Sequence, residues 1–72
     1  MHNNNVRMNT TILRSKRRDQ GMTLQQAAQK IGINFATLSR IERGQQTPSP
    51  RVAMRIGKLY GIDLNAVYAH IR

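Results

Sequence analysis

The sequence contains no cysteine among its 72 residues and has no long apolar run. Without cysteine the chain cannot form a disulfide scaffold, a thiolate zinc site or a cysteine nucleophile. No apolar run approaches the roughly 18 residues that cross a bilayer, and the first residues lack the apolar stretch of a signal peptide. We therefore expect one small cytoplasmic domain whose single core forms without covalent cross-links.

Acidic residues are also scarce. Asp19, Glu42 and Asp63 stand against 12 Lys and Arg, so the formal net charge is +9. A surface this basic repels itself unless it meets a polyanion, which favours a nucleic-acid partner. The acids lie on different predicted elements, and His2 and His70 are far apart along the chain. We therefore expect no catalytic residue, no metal site, no cofactor and no small-molecule substrate.

Glycines and capping residues divide the chain into helical segments. Four glycines follow segments of helical apolar spacing, at the position of a left-handed C-cap: Gly21, Gly32, Gly44 and Gly61. Four polar residues stand where helices would begin: Thr23, Asn34, Ser49 and Asp63. No segment alternates like a strand. The sequence therefore predicts an all-α fold with helices over residues 9–20, 23–31, 34–43, 50–60 and 63–71.

The chain is predicted to consist of a flexible arm over residues 1–8 and a domain over residues 9–72. The helices of the domain would share one core. Apolar residues recur at helical spacing in the last four helices: Leu24, Ala27, Ala28, Ile31, Leu38, Ile41, Val52, Ile56, Leu59, Tyr60, Leu64, Val67, Tyr68 and Ile71. The first helix offers mainly Ile12 and Leu13 to the core. It is the element we expect to be least stable alone.

The second and third predicted helices are joined by Gly32, Ile33 and Asn34, about the length of a helix-turn-helix joint. With Leu38 and Ile41 facing inward, a rotation of 100° per residue turns a small, polar and basic face of the third helix outward. This face suits the major groove, where an arginine can form a fork with guanine O6 and N7 or contact a phosphate.

The run GMTLQQAAQKIGINFATLSRIERGQQTPSP resembles the Cro and CI repressor family of helix-turn-helix regulators, and the similarity covers about residues 9–71. The resemblance implies a five-helix, lambda-repressor-like DNA-binding domain whose third helix enters the major groove. It implies a sequence-specific regulator of double-stranded DNA, most simply a repressor at a palindromic or pseudopalindromic operator. Such a protein would be associated with the nucleoid through DNA.

The resemblance also assigns roles to individual positions. The implied base-reading residues are Phe35, Ala36, Ser39 and Arg40. The implied phosphate-contacting residues are Thr23, Leu24, Gln25, Thr37, Arg43, Gln45, Gln46 and Thr47. A charge pair between the first helix and the end of the third would join Arg17 to Glu42.

Phe35 departs from the family, in which the first base-reading position is commonly polar. A phenyl ring cannot hydrogen-bond a base edge, but it can contact a thymine methyl group. The alternative is that Phe35 folds back onto the second helix as part of the core.

Other basic residues could either bind phosphate or simply be solvated. Arg14, Arg17 and Arg18 repel one another on one helix unless an anion such as phosphate is near, although single surface cations are often only solvated. On the fourth helix, three basic residues share a face that we expect to point to solvent: Arg51, Arg55 and Lys58.

Recognition of a two-fold operator requires two copies of the domain, so we expect a homodimer that forms at least on DNA. Met54, Tyr68 and Ile71 are the candidate interface residues, unless they are ordinary core or scattered surface residues. An antitoxin-type protein-interaction module that also binds DNA is the alternative function. A cationic membrane binder is disfavoured because caps and glycines interrupt the apolar faces.

Overall fold

The computed structural model describes the backbone of residues 4–70 and the side chains of residues 12–68, and within this range the chain is helical with no strand. The helices are α1 (Asn4–Asp19), α2 (Leu24–Ile31), α3 (Phe35–Glu42), α4 (Pro50–Tyr60) and α5 (Leu64–His70). The predicted all-α architecture is confirmed, and the last four helices begin and end within one residue of their predicted bounds.

The start of α1 differs from the prediction. The helix begins at Asn4 instead of residue 9, so residues 4–8 are helical where an irregular arm was expected. This segment contains neither glycine nor proline, and nothing in it interrupts the helical hydrogen-bond ladder. Residues 1–3 lie outside the described residues, and the division into an arm and a domain stays a prediction.

The predicted helix starts carry the hydrogen bonds of N-caps. Thr23 and Gln26 form a reciprocal capping box, in which each side chain accepts from the other's backbone N–H at 3.1 and 2.9 Å. The Asn34 side chain accepts from the second N–H of α3 at 2.7 Å. Ser49 and Asp63 cap α4 and α5 in the same manner, at 3.3 and 3.0 Å. Local hydrogen bonds therefore fix where these four helices begin.

The turn between α2 and α3 has the predicted length of three residues. Gly32 has a φ of 91°, a left-handed conformation that side chains with a Cβ rarely adopt. Its N–H and that of Ile33 both donate to the Ala28 carbonyl, at 2.8 and 3.0 Å. The chain thus leaves α2 sharply and enters α3 at a fixed angle.

Buried apolar residues from all of the helices form one core. The fully or nearly fully buried set is Leu13, Ala27, Ala28, Ile31, Leu38, Ile41, Ala53, Ile56, Tyr60 and Val67. Helix α3 packs against α2 on one side and α1 on the other, while α4 packs on α2 and α5. The core therefore supports α3 from behind and leaves its opposite face uncovered.

Two residues predicted to face the core are exposed. Ile12 is 47% exposed because it lies about 100° around α1 from Leu13, so the two cannot both point inward. Leu64 is 40% exposed at the first position of α5. Ile71 lies outside the described residues. None of the described helices combines the length and the apolar character needed to cross a membrane.

Candidate nucleic-acid interface

Helix α3 presents two different faces. Leu38 and Ile41 on the inner face have no solvent exposure. On the other side Arg40 is exposed, with Ala36 and Ser39 half-buried beside it. The small side chains let another surface approach the α3 backbone closely, while Arg40 extends beyond them. Thr37 is half-buried on the flank of the same helix.

Phe35 is 49% exposed at the start of α3 and does not belong to the buried core. The interpretation that this ring folds back into the core is therefore wrong. Phe35 is the first residue of α3, directly after the turn, and about half of its surface stays accessible. Phe35 instead places an apolar ring at the edge of the outer face.

Arg40 is held by a residue of the loop that follows α3. Its Nε–H donates to Oε1 of Gln46 at 2.9 Å. The loop folds back over the end of α3, because the Gln45 N–H donates to the Arg40 carbonyl at 2.8 Å. Gln45 and Thr47 are exposed beside Gln46. The structure therefore joins a predicted base-reading residue to a predicted phosphate-contacting residue.

Arg17 and Glu42 form the ion pair that was expected between α1 and α3. Arg17 Nε lies 2.9 Å from Glu42 Oε2, and Arg17 Nη2 donates to Oε1 at 3.1 Å. Arg17 Nη1 also donates to the Met22 carbonyl at 3.0 Å. Both side chains are buried, with Arg17 8% and Glu42 4% exposed. The guanidinium therefore ties the end of α3 to α1 and to the loop that follows α1.

Tyr60 adds a third helix to this pair. Its hydroxyl donates to Glu42 Oε2 at 2.6 Å from α4. Burial, together with the hydrogen bond to Glu42, raises the pKa of Tyr60 well above its ordinary value. Sequence reasoning treated Tyr60 only as an apolar core residue. A hydrogen bond could have been expected from chemistry alone, since a buried tyrosine hydroxyl usually has a hydrogen-bond partner.

A cleft runs between α1, the start of α2 and the end of α3. Its lining residues are Arg14, Arg17, Leu24, Ser39, Glu42 and Arg43. Arg14 and Arg43 are exposed on its two sides, and Arg43 Nε lies 3.4 Å from the Ser39 carbonyl oxygen. Two exposed guanidinium groups flanking a cleft can hold an anion between them.

The start of α2 lies at this cleft and carries no acidic residue in its first turn. The Thr23 hydroxyl is occupied by the capping box, and the Leu24 side chain packs against the core. What Thr23 and Leu24 offer a ligand is therefore mainly backbone, together with the exposed Gln25 side chain. The first N–H groups of a helix have no partner within the helix and carry a partial positive charge.

The basic residues of α4 differ from one another. Arg55 Nη1 donates to the Ile31 carbonyl at the end of α2, at 3.0 Å. Arg55 is exposed, as expected, and in addition holds the end of α2, because a cation at a helix C-terminus meets carbonyl oxygens and the negative end of the dipole. Arg51 and Lys58 are exposed, as expected.

Two of the candidate dimer residues, Met54 on α4 and Tyr68 on α5, lie apart from α3. Met54 is 59% exposed, whereas Tyr68 is half-buried and packs against the core. An apolar cleft near Met54 is also lined by Ile62 and Leu64, at the junction of α4 and α5. Within the described residues, no three histidine or acidic side chains form a cluster suited to a metal ion.

The comparisons with known proteins agree with this architecture. Residues 13–67 match the family model described as "Helix-turn-helix". An uncharacterized HTH-type transcriptional regulator of Methanothermobacter thermautotrophicus is 31% identical over 51 residues, which cover 71% of this chain and 74% of the relative. A regulator with the same description from Archaeoglobus fulgidus is 29% identical over 58 residues, or 81% of this chain and 83% of the relative.

A third relative of that description, from Methanocaldococcus jannaschii, is 29% identical over 49 residues, or 68% of this chain and 74% of the relative. No solved structure matches the chain significantly. The family match spans most of the chain, from the buried Leu13 of α1 to the buried Val67 of α5. The chain therefore belongs to the helix-turn-helix family.

Proposed function

We propose that the protein is a transcriptional regulator that binds double-stranded DNA sequence-specifically, with α3 in the major groove. The observation that carries the proposal is the division of α3 into a fully buried face and an exposed face from which Arg40 projects past Ala36 and Ser39. A helix of this shape fits a groove about 12 Å wide. The net charge of +9 supplies the attraction to phosphates.

Base reading is assigned to four residues of α3: Phe35, Ala36, Ser39 and Arg40. Arg40 forms a fork with a guanine, because its guanidinium donors match O6 and N7. Phe35 contacts a thymine methyl group, since its exposed ring has no hydrogen-bonding atom. Ser39 hydrogen-bonds a base or a phosphate.

Phosphate binding is assigned to the surfaces beside α3. Its residues are Thr23, Leu24, Gln25, Thr37, Arg43, Gln45, Gln46 and Thr47. At the start of α2, backbone N–H groups face one phosphate in the manner of helix N-termini. Arg43 flanks the same cleft, and Arg14 extends the basic surface on the α1 side. These contacts position the protein without reading sequence.

The proposed regulator acts as a homodimer on a palindromic or pseudopalindromic operator. One domain contacts about one half-site, and two half-sites one helical turn apart give the specificity that a genome requires. Exposed Met54 and half-buried Tyr68, with Ile71, form the dimer surface, and the dimer represses transcription by covering a promoter. Sedimentation velocity with and without operator tests the oligomeric state. A protein that stays monomeric in solution and binds the operator as a single copy would contradict the proposed homodimer.

The test of DNA recognition begins with selection of bound duplexes from a random pool. Arg40→Ala is expected to weaken binding to the selected duplex by about 1–3 kcal/mol and to relax preference at one base pair. Arg43→Ala is expected to weaken binding to all duplexes alike. With about 6–8 phosphates neutralised, log K should fall with log salt at a slope of roughly −5 to −7. Equal affinity of the unaltered protein for selected and random duplexes would overturn the proposal.

A further inference from the structure

Besides the phosphate contact assigned to it above, Gln46 contacts Arg40, and the inference drawn from this contact rests on the proposed function. We propose that Gln46 is a positioning residue that holds Arg40 for end-on recognition of one guanine, and thereby determines specificity at that base pair. The carrying observation is the hydrogen bond from Arg40 Nε to Gln46 Oε1, at 2.9 Å. It joins the exposed face of α3 to the loop between α3 and α4.

The position of this bond on the guanidinium decides which donors remain. Arginine can approach a pair of acceptors side-on, through Nε and one Nη, or end-on, through both Nη atoms. Because Gln46 occupies the Nε–H, the side-on approach is blocked and the end-on pair stays available. The described residues provide no acceptor for either Nη of Arg40, so both can address guanine O6 and N7.

The loop that carries Gln46 is itself fixed to α3. The Gln45 N–H donates to the Arg40 carbonyl at 2.8 Å, and the Gly44 N–H donates to the Ile41 carbonyl at 3.0 Å. Gln46 is half-buried, and Pro48, two residues further on, is buried. The acceptor therefore has a defined place relative to Arg40. Restricting the arginine before binding reduces the rotamer entropy that recognition would otherwise cost.

The other half of the Gln46 amide completes the arrangement. Its oxygen accepts from Arg40, and its Nε2 keeps donors that no described residue accepts. This nitrogen is suited to a phosphate oxygen, which is the role first assigned to Gln46. A single amide then links a backbone contact to a base contact, so that a correctly placed phosphate also orients the arginine that reads the neighbouring guanine.

The experiment measures affinity by fluorescence anisotropy for the selected duplex and for three duplexes in which the guanine pair is replaced. The proteins are wild type, Arg40→Ala, Gln46→Ala and the double variant. The affinity of wild type for the guanine duplex is expected to exceed that for the replaced duplexes roughly tenfold or more, which is the discrimination given by a bidentate arginine contact. Gln46→Ala should reduce this preference several-fold at that base pair alone. In the Arg40→Ala background, Gln46→Ala should leave preference at that pair unchanged.

Two further variants separate the halves of the amide. Gln46→Glu keeps an acceptor for Arg40 but removes the donor to phosphate, so guanine preference should persist while affinity for every duplex falls. Gln45→Ala is the matched loop control, expected to weaken all duplexes alike and to keep the preference. Thermal melting of each variant checks that the fold is retained.

The outcomes distinguish the inference from the proposed function. If wild type binds selected and random duplexes equally, the proposed function fails and the inference fails with it. If wild type discriminates but Gln46→Ala keeps the full guanine preference, the inference alone is overturned. It is overturned as well if Gln46→Glu loses the preference to the same extent as Gln46→Ala, or if Gln46→Ala changes it equally with and without Arg40.

Discussion

Replacing Tyr60 with phenylalanine tests the buried network that joins α1, α3 and α4. The change removes only the hydroxyl, which donates to Glu42 Oε2 at 2.6 Å, and keeps the ring in the core. Tyr60 is 1% exposed, so water cannot readily take the place of the lost donor. The substitution therefore probes one hydrogen bond to a buried charge with little change in packing.

The expected loss follows from the surroundings of Glu42. Hydrogen bonds to charged groups contribute about 1.5–3 kcal/mol. Arg17 still donates to both carboxylate oxygens in the variant, at 2.9 and 3.1 Å, so the loss should lie near the lower end, about 1.5–2 kcal/mol. For a domain of this size that corresponds to a melting temperature lowered by roughly 6–16 °C.

The matched control is Tyr68→Phe. Tyr68 is half-buried on α5, and its hydroxyl makes no hydrogen bond to a described residue. Urea and thermal unfolding followed by circular dichroism should show a change within about 0.5 kcal/mol for this control. Equal destabilisation by the two substitutions would refute the reasoning, because the Tyr60 hydroxyl would then contribute nothing beyond that of an ordinary tyrosine.

The same pair of proteins has an expected pH dependence. Burial, with the hydrogen bond to Glu42, raises the pKa of Tyr60 in the folded protein above the ordinary value near 10. The folded state then holds this proton more tightly than the unfolded state, so the contribution is complete below about pH 10 and is lost as pH rises further. The stability difference between wild type and Tyr60→Phe should therefore narrow above pH 10. A constant difference up to pH 11 would contradict the shift.

Two further substitutions test a close backbone contact at Gly57 and the hydrogen bond from Arg55 to α2. Replacing a helical glycine with alanine usually stabilises the helix, but at Gly57 the new Cβ would lie 2.8 Å from the Ile62 carbonyl oxygen. Urea unfolding of Gly57→Ala should therefore show a free energy of unfolding lowered by about 1–3 kcal/mol, and an increase would contradict this. Arg55→Ala removes the donor to the Ile31 carbonyl and should lower stability by roughly 1 kcal/mol, whereas Lys58→Ala on the same face should change it by less than about 0.5 kcal/mol. An equal effect of the last two would show that the contact to α2 contributes nothing.

Helix boundaries were predictable because they depend on local chemistry. Thr23, Asn34 and Gly32 act through hydrogen bonds and dihedral angles within a few residues of themselves, which the sequence displays directly. The inward face of α1 was less predictable. Ile12 and Leu13 are adjacent, and two neighbouring apolar residues do not show which side of a helix is buried. The four-residue spacing from Leu13 to Arg17 identifies that side, but only once a buried arginine is expected.

Contacts between distant side chains were the part that the sequence did not show. The pairing of Arg17 with Glu42 was available from family resemblance, yet Tyr60 was not, because its partner lies 18 residues away on another helix. The bond between Arg40 and Gln46 depends on how the loop after α3 folds back. The turn itself was predictable, because Gly44 has the left-handed conformation of a C-cap and its neighbours form the matching backbone hydrogen bonds. No residue pattern specifies that the Gln46 side chain, two residues further on, meets Arg40.

The buried network explains how so short a helix is held in one orientation. Helix α3 has eight residues, and its apolar contacts at Leu38 and Ile41 hold one face inward but tolerate some rotation about the helix axis. A hydrogen bond tolerates much less, because its donor and acceptor must meet in both distance and direction. Glu42 accepts from α1 and from α4 at once, and it lies two residues beyond Arg40. This buried carboxylate therefore restrains the rotation of α3 through directional hydrogen bonds to two other helices. Apolar replacement of the network could preserve stability, but it would not supply that constraint.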